Sequence, residues 1–242
     1  MKLSSQLMDR ILKNIQDVKE RVASACKLAG RDPKSVTILG VSKTYGVDSI
    51  SAAFDAGLDA FGENYIAEAV QKKQALASFN IKWHCIGPIQ SNKTRLVAEN
   101  FDWVHTVDRI KIAQRLSEQR PKYLNPLQVC IQVNVDSAQT KSGVKAEEVL
   151  PLAIQIADLP GLQLRGLMAI PDPILDYEAS CQVCRRVKCL WDDMRQYGLA
   201  VDTLSMGMSL DLEAAIQAGS TIVRVGTAIF GVRDNPLPPI KT

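Results

Sequence analysis

Residues 36–44 read VTILGVSKT, an apolar run that ends on a lysine. Val36 to Val41 are almost all apolar or β-branched, the composition of a parallel strand buried on both faces. Lys43 stands where that strand runs out. Thr44, Tyr45 and Gly46 make a polar, turn-prone step, and a helix is predicted to open at Asp48. A lysine carried on its own strand into the mouth of a fold is poorly solvated. Desolvation favours its neutral amine, and a neutral amine attacks a carbonyl carbon to form a Schiff base. The alternative, from these residues alone, is a strand-end lysine that extends its stem and keeps its charge in water.

Outward from this strand, short apolar runs alternate with helical patterns. Strands are predicted at 36–42, 59–62, 81–87, 102–107, 127–135, 162–169, 203–206 and 221–225, with helices at 48–57, 64–78, 91–99, 109–119, 146–158, 176–197 and 209–218. Strict β/α alternation implies a parallel sheet, and eight strands in 242 residues favour closure over an open sheet. The predicted fold is one (β/α)8 barrel of the TIM type, spanning 1–242 as one domain without linker or repeat. An amphipathic segment at about 3–29 adds an N-terminal helix, its apolar face formed by Leu7, Ile11, Ile15, Val18, Val22, Ala25 and Ala29. Such a helix should cover the outside or bottom of the barrel. Gly57, Gly161, Gly198 and Gly219 fall where left-handed helix caps are expected. The tail DNPLPPIKT, 234–242, reads as a surface strap.

Composition excludes several classes of function. The formal charge of +3 comes from 29 basic and 26 acidic residues well mixed along the chain, which makes no case for nucleic acid or an acidic membrane. No stretch has the length of a membrane span, and the opening MKLSSQLMDRILKNI lacks an apolar signal core, so a cytoplasmic protein is expected. Six cysteines read as reduced thiols. Cys181, Cys184 and Cys189 resemble a ligand set, but the two histidines, His84 and His105, lie far away in sequence, so no metal site is predicted. Buried or half-buried helix thiols are expected instead.

In a barrel of this type the C-terminal strand ends share one rim, where chemistry is placed. The first strand brings Lys43 to it, the second Glu63 and Asn64, the third His84, Gln90, Asn92 and Lys93, the fifth Asn134 and Lys141, and the sixth Met168. The seventh runs into SMGMS and the eighth into VRVGTAIFG. Loops after strands seven and eight are the usual anion site of such barrels. Ser209 is positioned to cap the helix LEAAIQAG, where a phosphate could share the free N–H groups. Gly207 and Gly226 permit close backbone approach, Thr227 adds a hydroxyl, and Arg224 a fixed charge. Plain turn glycines and a plain cap would explain either loop alone. Together, beside a strand-end lysine, they point to phosphate. His84 and His105 read as satisfied core histidines, and Glu63 either orients Lys43 or balances charge.

These stretches carry a family resemblance. VSKT, FGENY, WHCIGPIQSNK, VNVDSAQTKSG, GLMAIPDP, SMGMSLDLEAAIQAGSTIVRVGTAIFG and the trailing Arg233 are similar, in order from about 30 to 233, to the pyridoxal-phosphate homeostasis protein family. The resemblance implies a modified TIM barrel like the N-terminal domain of alanine racemase. It further implies pyridoxal 5′-phosphate bound as a Schiff base, no established catalytic activity, and a part in balancing vitamin B6 and amino-acid pools. Carried over by position, Lys43 matches the Schiff-base lysine, and Ser209, Gly226 and Thr227 match the phosphate contacts. Arg224 falls where racemase-type barrels set an arginine against the pyridine nitrogen, and Asn64 and Met206 would line the ring pocket. Two departures stand out: Tyr45 and Gly46 replace a second lysine and a proline common in relatives, and Pro88 replaces a common histidine. The first removes a second amine from the mouth.

Three functions compete. One is a non-catalytic carrier of pyridoxal phosphate, monomeric, whose acceptor apo-enzymes are unidentified. The alternative is an amino-acid racemase or related enzyme using the same cofactor. It is disfavoured because the sequence stops soon after the eighth strand, without the second domain that supplies the racemases' opposing base. A cofactor-free Schiff-base aldolase is disfavoured because such barrels carry the lysine on a later strand.

Overall fold

The computed structural model describes residues 5–136, 142–172 and 176–231. Helix α1 (Ser5–Leu28) precedes β1 (Thr37–Val41), α2 (Val47–Asp55), β2 (Ala60–Glu63), α3 (Ile66–Ala75), β3 (Lys82–Cys85), α4 (Thr94–Asn100) and β4 (Trp103–Val107). Then follow α5 (Ile110–Gln119), β5 (Leu127–Val133), α6 (Ala146–Ala157), β6 (Leu162–Ala169), α7 (Tyr177–Gln196), β7 (Thr203–Ser205), α8 (Leu212–Gln217), β8 (Ile222–Val225) and a short α9 (Thr227–Phe230). The eight strands close into a parallel barrel in sequence order. Closure pairs β8 with β1, Ile38 opposite Val223 and Leu39 opposite Arg224. The expected (β/α)8 barrel with an added N-terminal helix is therefore the observed fold.

Period-two alternation sorts each strand between two cores. Leu39, Ala60, Ile86 and Ile222, with Val41 and Trp103 against them, fill part of the barrel interior. Phe61, Trp83, Cys85, Val104, Val129, Ile131, Leu204 and Val223 face the helices. Helix α1 lies on the outside, against α2, α8 and α9, across the seam where β8 meets β1. It buries Ile11, Ile15, Val18, Val22, Ala25 and Cys26. Polar contacts fasten it: Arg21 grips Glu213 at 2.7 and 2.9 Å, and Asn14 donates to the Ile229 carbonyl at 2.8 Å.

Three local expectations are corrected. Gly57, Gly198 and Gly219 have positive φ, but Gly161 does not; a Cβ there would lie 2.4 Å from the Ser117 carbonyl oxygen, so close approach and not handedness demands the glycine. All six cysteines are unbridged, and Cys181 and Cys184 are buried, whereas Cys189 is exposed on α7. The helix predicted from 209 begins only at Leu212. The tail at 234–242 and Lys141 lie outside the described residues. Among the described residues no helix is long and apolar enough to cross a membrane.

Candidate functional site

Four neighbouring strands, β7, β8, β1 and β2, end on one arc of the rim. Lys43 follows β1 and is half-buried. Its neighbour Ser42 turns outward, its hydroxyl donating to Glu63 Oε1 at 2.6 Å. Lys43 thus falls on the barrel side, in series with Leu39 and Val41. Asn64 follows β2, and its Oδ1 is buried without a hydrogen-bond partner, as is the Thr44 hydroxyl. Gly87 presses on the Asn64 backbone so closely that a Cβ would come within 2.3 Å of its carbonyl oxygen.

The loop after β7 differs from expectation. Ser209 does not cap α8. The N-cap is Asp211, whose Oδ1 instead accepts the Met208 N–H at 2.6 Å while its own N–H donates to the Met208 carbonyl at 3.3 Å. The aspartate closes a turn ahead of the helix, and Ser209 lies within that turn, half-buried. Arg21, reaching over from α1, donates to the Ser209 carbonyl at 2.9 Å. Gly207 has φ of +92°, and a Cβ would meet that of Ala215 at 2.6 Å, so this glycine is required by the protein itself. Gly226 is different. Its φ is −109°, and an added Cβ would make only ordinary contact with Val41, at 3.5 Å. Nothing within the described protein demands a glycine there. Thr227 opens α9 and is exposed.

Met206 is fully buried in the helix-side core with Leu204, so its side chain does not line the mouth as expected. Lys93 is exposed in a 3-10 turn, Ser91–Lys93.

Below the rim the interior is polar. Arg224, 4% exposed, donates to the Ser205 carbonyl at 2.6 Å, to Ser205 Oγ at 2.8 Å and to the Ala169 carbonyl at 2.8 Å. Burial pulls its guanidinium down to about 10, which leaves it charged at neutral pH. Ser205 Oγ lies 2.8 Å from His105 Nδ1, and His105 Nε2 lies 2.9 Å from His84 Nδ1. An arginine only donates. Ser205 Oγ therefore accepts from Arg224, and the direction of the two bonds beyond it is set by the tautomers of His105 and His84. The two histidines were expected to be satisfied core residues; they form a buried column from Arg224 to Trp103, on which His84 stacks at 5.3 Å, but His84 Nε2 is buried without a hydrogen-bond partner among the described residues.

The residue that sequence reading missed is Lys72. Only 6% exposed on α3, it donates to Glu63 at 2.7 Å, Glu68 at 2.5 Å and the Ser42 carbonyl at 2.8 Å. Its signal was present as acidic residues nine and four positions earlier, though a helix-surface pair reads the same way.

The chain matches the family model "Alanine racemase, N-terminal domain" over residues 8–234. A curated protein of Pseudomonas aeruginosa, named pyridoxal phosphate homeostasis protein, is 53% identical over 231 residues, covering 96% of this chain and 99% of its own. The solved structure of PipY from Synechococcus elongatus with pyridoxal phosphate bound has a TM-score of 0.78 at 33% identity, covering 88% of this chain and 100% of that one. An alanine racemase from Clostridium difficile shares the fold, with a TM-score of 0.74 at 16% identity, covering 94% of this chain and 58% of the racemase.

Proposed function

Because the chain belongs to the pyridoxal phosphate homeostasis proteins, built on the alanine racemase N-terminal barrel, we propose that it holds pyridoxal 5′-phosphate covalently on Lys43, as a monomeric, non-catalytic cytoplasmic carrier. The observation that carries the assignment is the half-buried lysine at the mouth between the loops of β8 and β2, with the β7 loop next to them. The residues present fit the cofactor. Gly226 leaves space that the protein does not use, and Asn64 Oδ1 is a buried polar atom at the mouth without a hydrogen-bond partner among the described residues. Ser209, Gly226 and Thr227 would hold the phosphate, with Gly207 shaping the same rim. Arg224 would face the pyridine nitrogen as a donor.

When bound, the cofactor supplies an aldehyde that bonds to amines and a ring that withdraws electrons. The chain's own residues favour retention over turnover. A charged guanidinium beside the ring nitrogen disfavours its protonation and so weakens the ring as an electron sink. Racemisation also needs a proton donor on each face of the substrate carbon, and Lys43 is the one assigned here. The test is borohydride reduction of the loaded protein followed by peptide mass mapping. A pyridoxyl mass on Lys43 supports the assignment; the same mass on Lys93 or Lys141 overturns it.

A further inference from the structure

We propose that Lys72, with Glu63 and Glu68, is a clamp that holds the turn carrying Lys43 in a conformation its own residues disfavour. The Tyr45 N–H donates to the Ser42 carbonyl at 3.0 Å, closing a four-residue turn with Lys43 and Thr44 at its centre. Thr44 has φ of +68° and is the one non-glycine residue of positive φ among those described. That third turn position is normally glycine or asparagine, and a β-branched residue is a poor occupant.

The strain is restrained from outside the turn. Glu68 Oε1 accepts the Thr44 N–H at 2.9 Å. Lys72, one helical turn further along α3, donates to that same oxygen at 2.5 Å, to Glu63 Oε1 at 2.7 Å and to the Ser42 carbonyl at 2.8 Å. Three ammonium protons meet three acceptors. Ser42 Oγ adds its own bond to Glu63 at 2.6 Å. The grip therefore falls on residues 42 and 44, either side of Lys43.

Stability alone does not explain this arrangement. Glu63 is fully buried, and its Oε2 has no hydrogen-bond partner. Burial, the largest cause, pushes its carboxyl upward against the opposing pull of Lys72. Buried ion pairs of this kind are commonly no more stabilising than apolar residues of the same volume. What a cluster with three directed bonds supplies is one fixed geometry. A loosened turn would let the Lys43 amine swing toward water.

The consequence for the cofactor rests on Lys43 as the attachment lysine; the clamp itself does not. The test uses the full chain with E68A, E68Q and T44G, each checked by its melting curve. The first readout is the initial rate of borohydride-trappable pyridoxal phosphate at Lys43. The second is acylation of Lys43 by acetic anhydride in the apo-protein, read by peptide mass. E68A should slow attachment roughly tenfold, the population change that backbone strain of this kind produces. It should also speed acylation as the amine becomes more exposed. E68Q keeps an acceptor for Thr44 and should stay near the parent. T44G in the E68A background should restore both readouts, because glycine takes positive φ unaided. Unchanged rates in E68A, or a loss that T44G does not restore, overturn the clamp. Should E68A fail to fold, K72M with and without T44G reads the same device from its other end. Should cofactor attach at another lysine, the function proposed above fails, and the acylation of Lys43 still decides for or against the clamp.

Discussion

Ser209 and Gly226 were expected to act alike, as parts of a phosphate cradle, yet the structure gives them different surroundings. Asp211 closes the turn in place of a serine cap, so Ser209→Ala should leave the apo-protein's stability nearly unchanged. Asp211→Ala removes the acceptor of the Met208 N–H and should cost about 1 kcal/mol in urea denaturation. If Ser209→Ala proves the more destabilising of the two, the turn has been misread. Gly226→Ala meets only ordinary contact with Val41, at 3.5 Å. The apo-protein should melt as the parent does, while affinity for pyridoxal phosphate falls, because the methyl group occupies space assigned to the anion. A parallel loss of apo stability would mean that the glycine serves the fold. Lys43→Ala should likewise fold and fail to retain cofactor against dialysis, since a half-buried rim side chain contributes little to either core.

Strands β3, β4, β7 and β8 each contribute one side chain to the column of His84, His105, Ser205 and Arg224. Their fixed order along the barrel makes stability depend on pH. Burial, with smaller help from Lys82, pulls His84 from 6.5 to about 3. Burial, then His84 and Arg224, hold His105 well below the ordinary histidine value. Both are neutral when folded and take up a proton on unfolding in mild acid. The sign follows: a depressed folded value means the contribution is complete above about pH 6.5 and is lost as pH falls toward the folded value. Each histidine should add a slope of about 1.4 kcal/mol per pH unit within that window. Glu63, raised by burial, works in the opposite sense, its contribution increasing as pH falls. Comparing the parent with His84→Gln cancels that common part. Urea titrations at several values between about pH 6.5 and pH 4 should show a slope smaller by one proton in the variant. Equal slopes would mean that His84 is protonated in the folded protein.

For the whole molecule, the barrel is common to a carrier and a racemase, which differ in what they do to an amino acid. The Clostridium difficile racemase has the same barrel at 16% identity, so the fold cannot choose between them. Proton exchange at the α-carbon of several amino acids in deuterated water, followed by NMR, does choose. The proposed carrier should show no enzyme-dependent exchange; rapid exchange lost in Lys43→Ala would make the protein a catalyst. Cofactor should also stabilise the chain by mass action, by about 2.7 kcal/mol at a free concentration one hundred times its dissociation constant. A melting temperature indifferent to added cofactor would contradict specific binding to the folded barrel.

The barrel was legible in the sequence because its signals are local. Apolar runs such as VTILGV, helical periodicity in α1 and a glycine at most helix ends are each read within about ten residues. The lysine at the end of β1 was legible for the same reason, being defined by the strand it follows. Side-chain partnerships were not. Lys72 reads as one more basic residue on a helix until β1, β2 and α3 are packed together, when its ammonium meets Glu63, Glu68 and the Ser42 carbonyl. Met206 and Arg224 both follow apolar runs, yet strand phase sends one outward to the helices and the other inward. Ser209 and Asp211 are both acceptable caps in sequence, yet the aspartate takes the N-cap position with its carboxylate turned back to the Met208 N–H. Local pattern determined which elements form and in what order. Closure of β8 onto β1 and the docking of α1 and α3 decided which polar groups meet, because partners far apart in sequence leave no periodic trace in it.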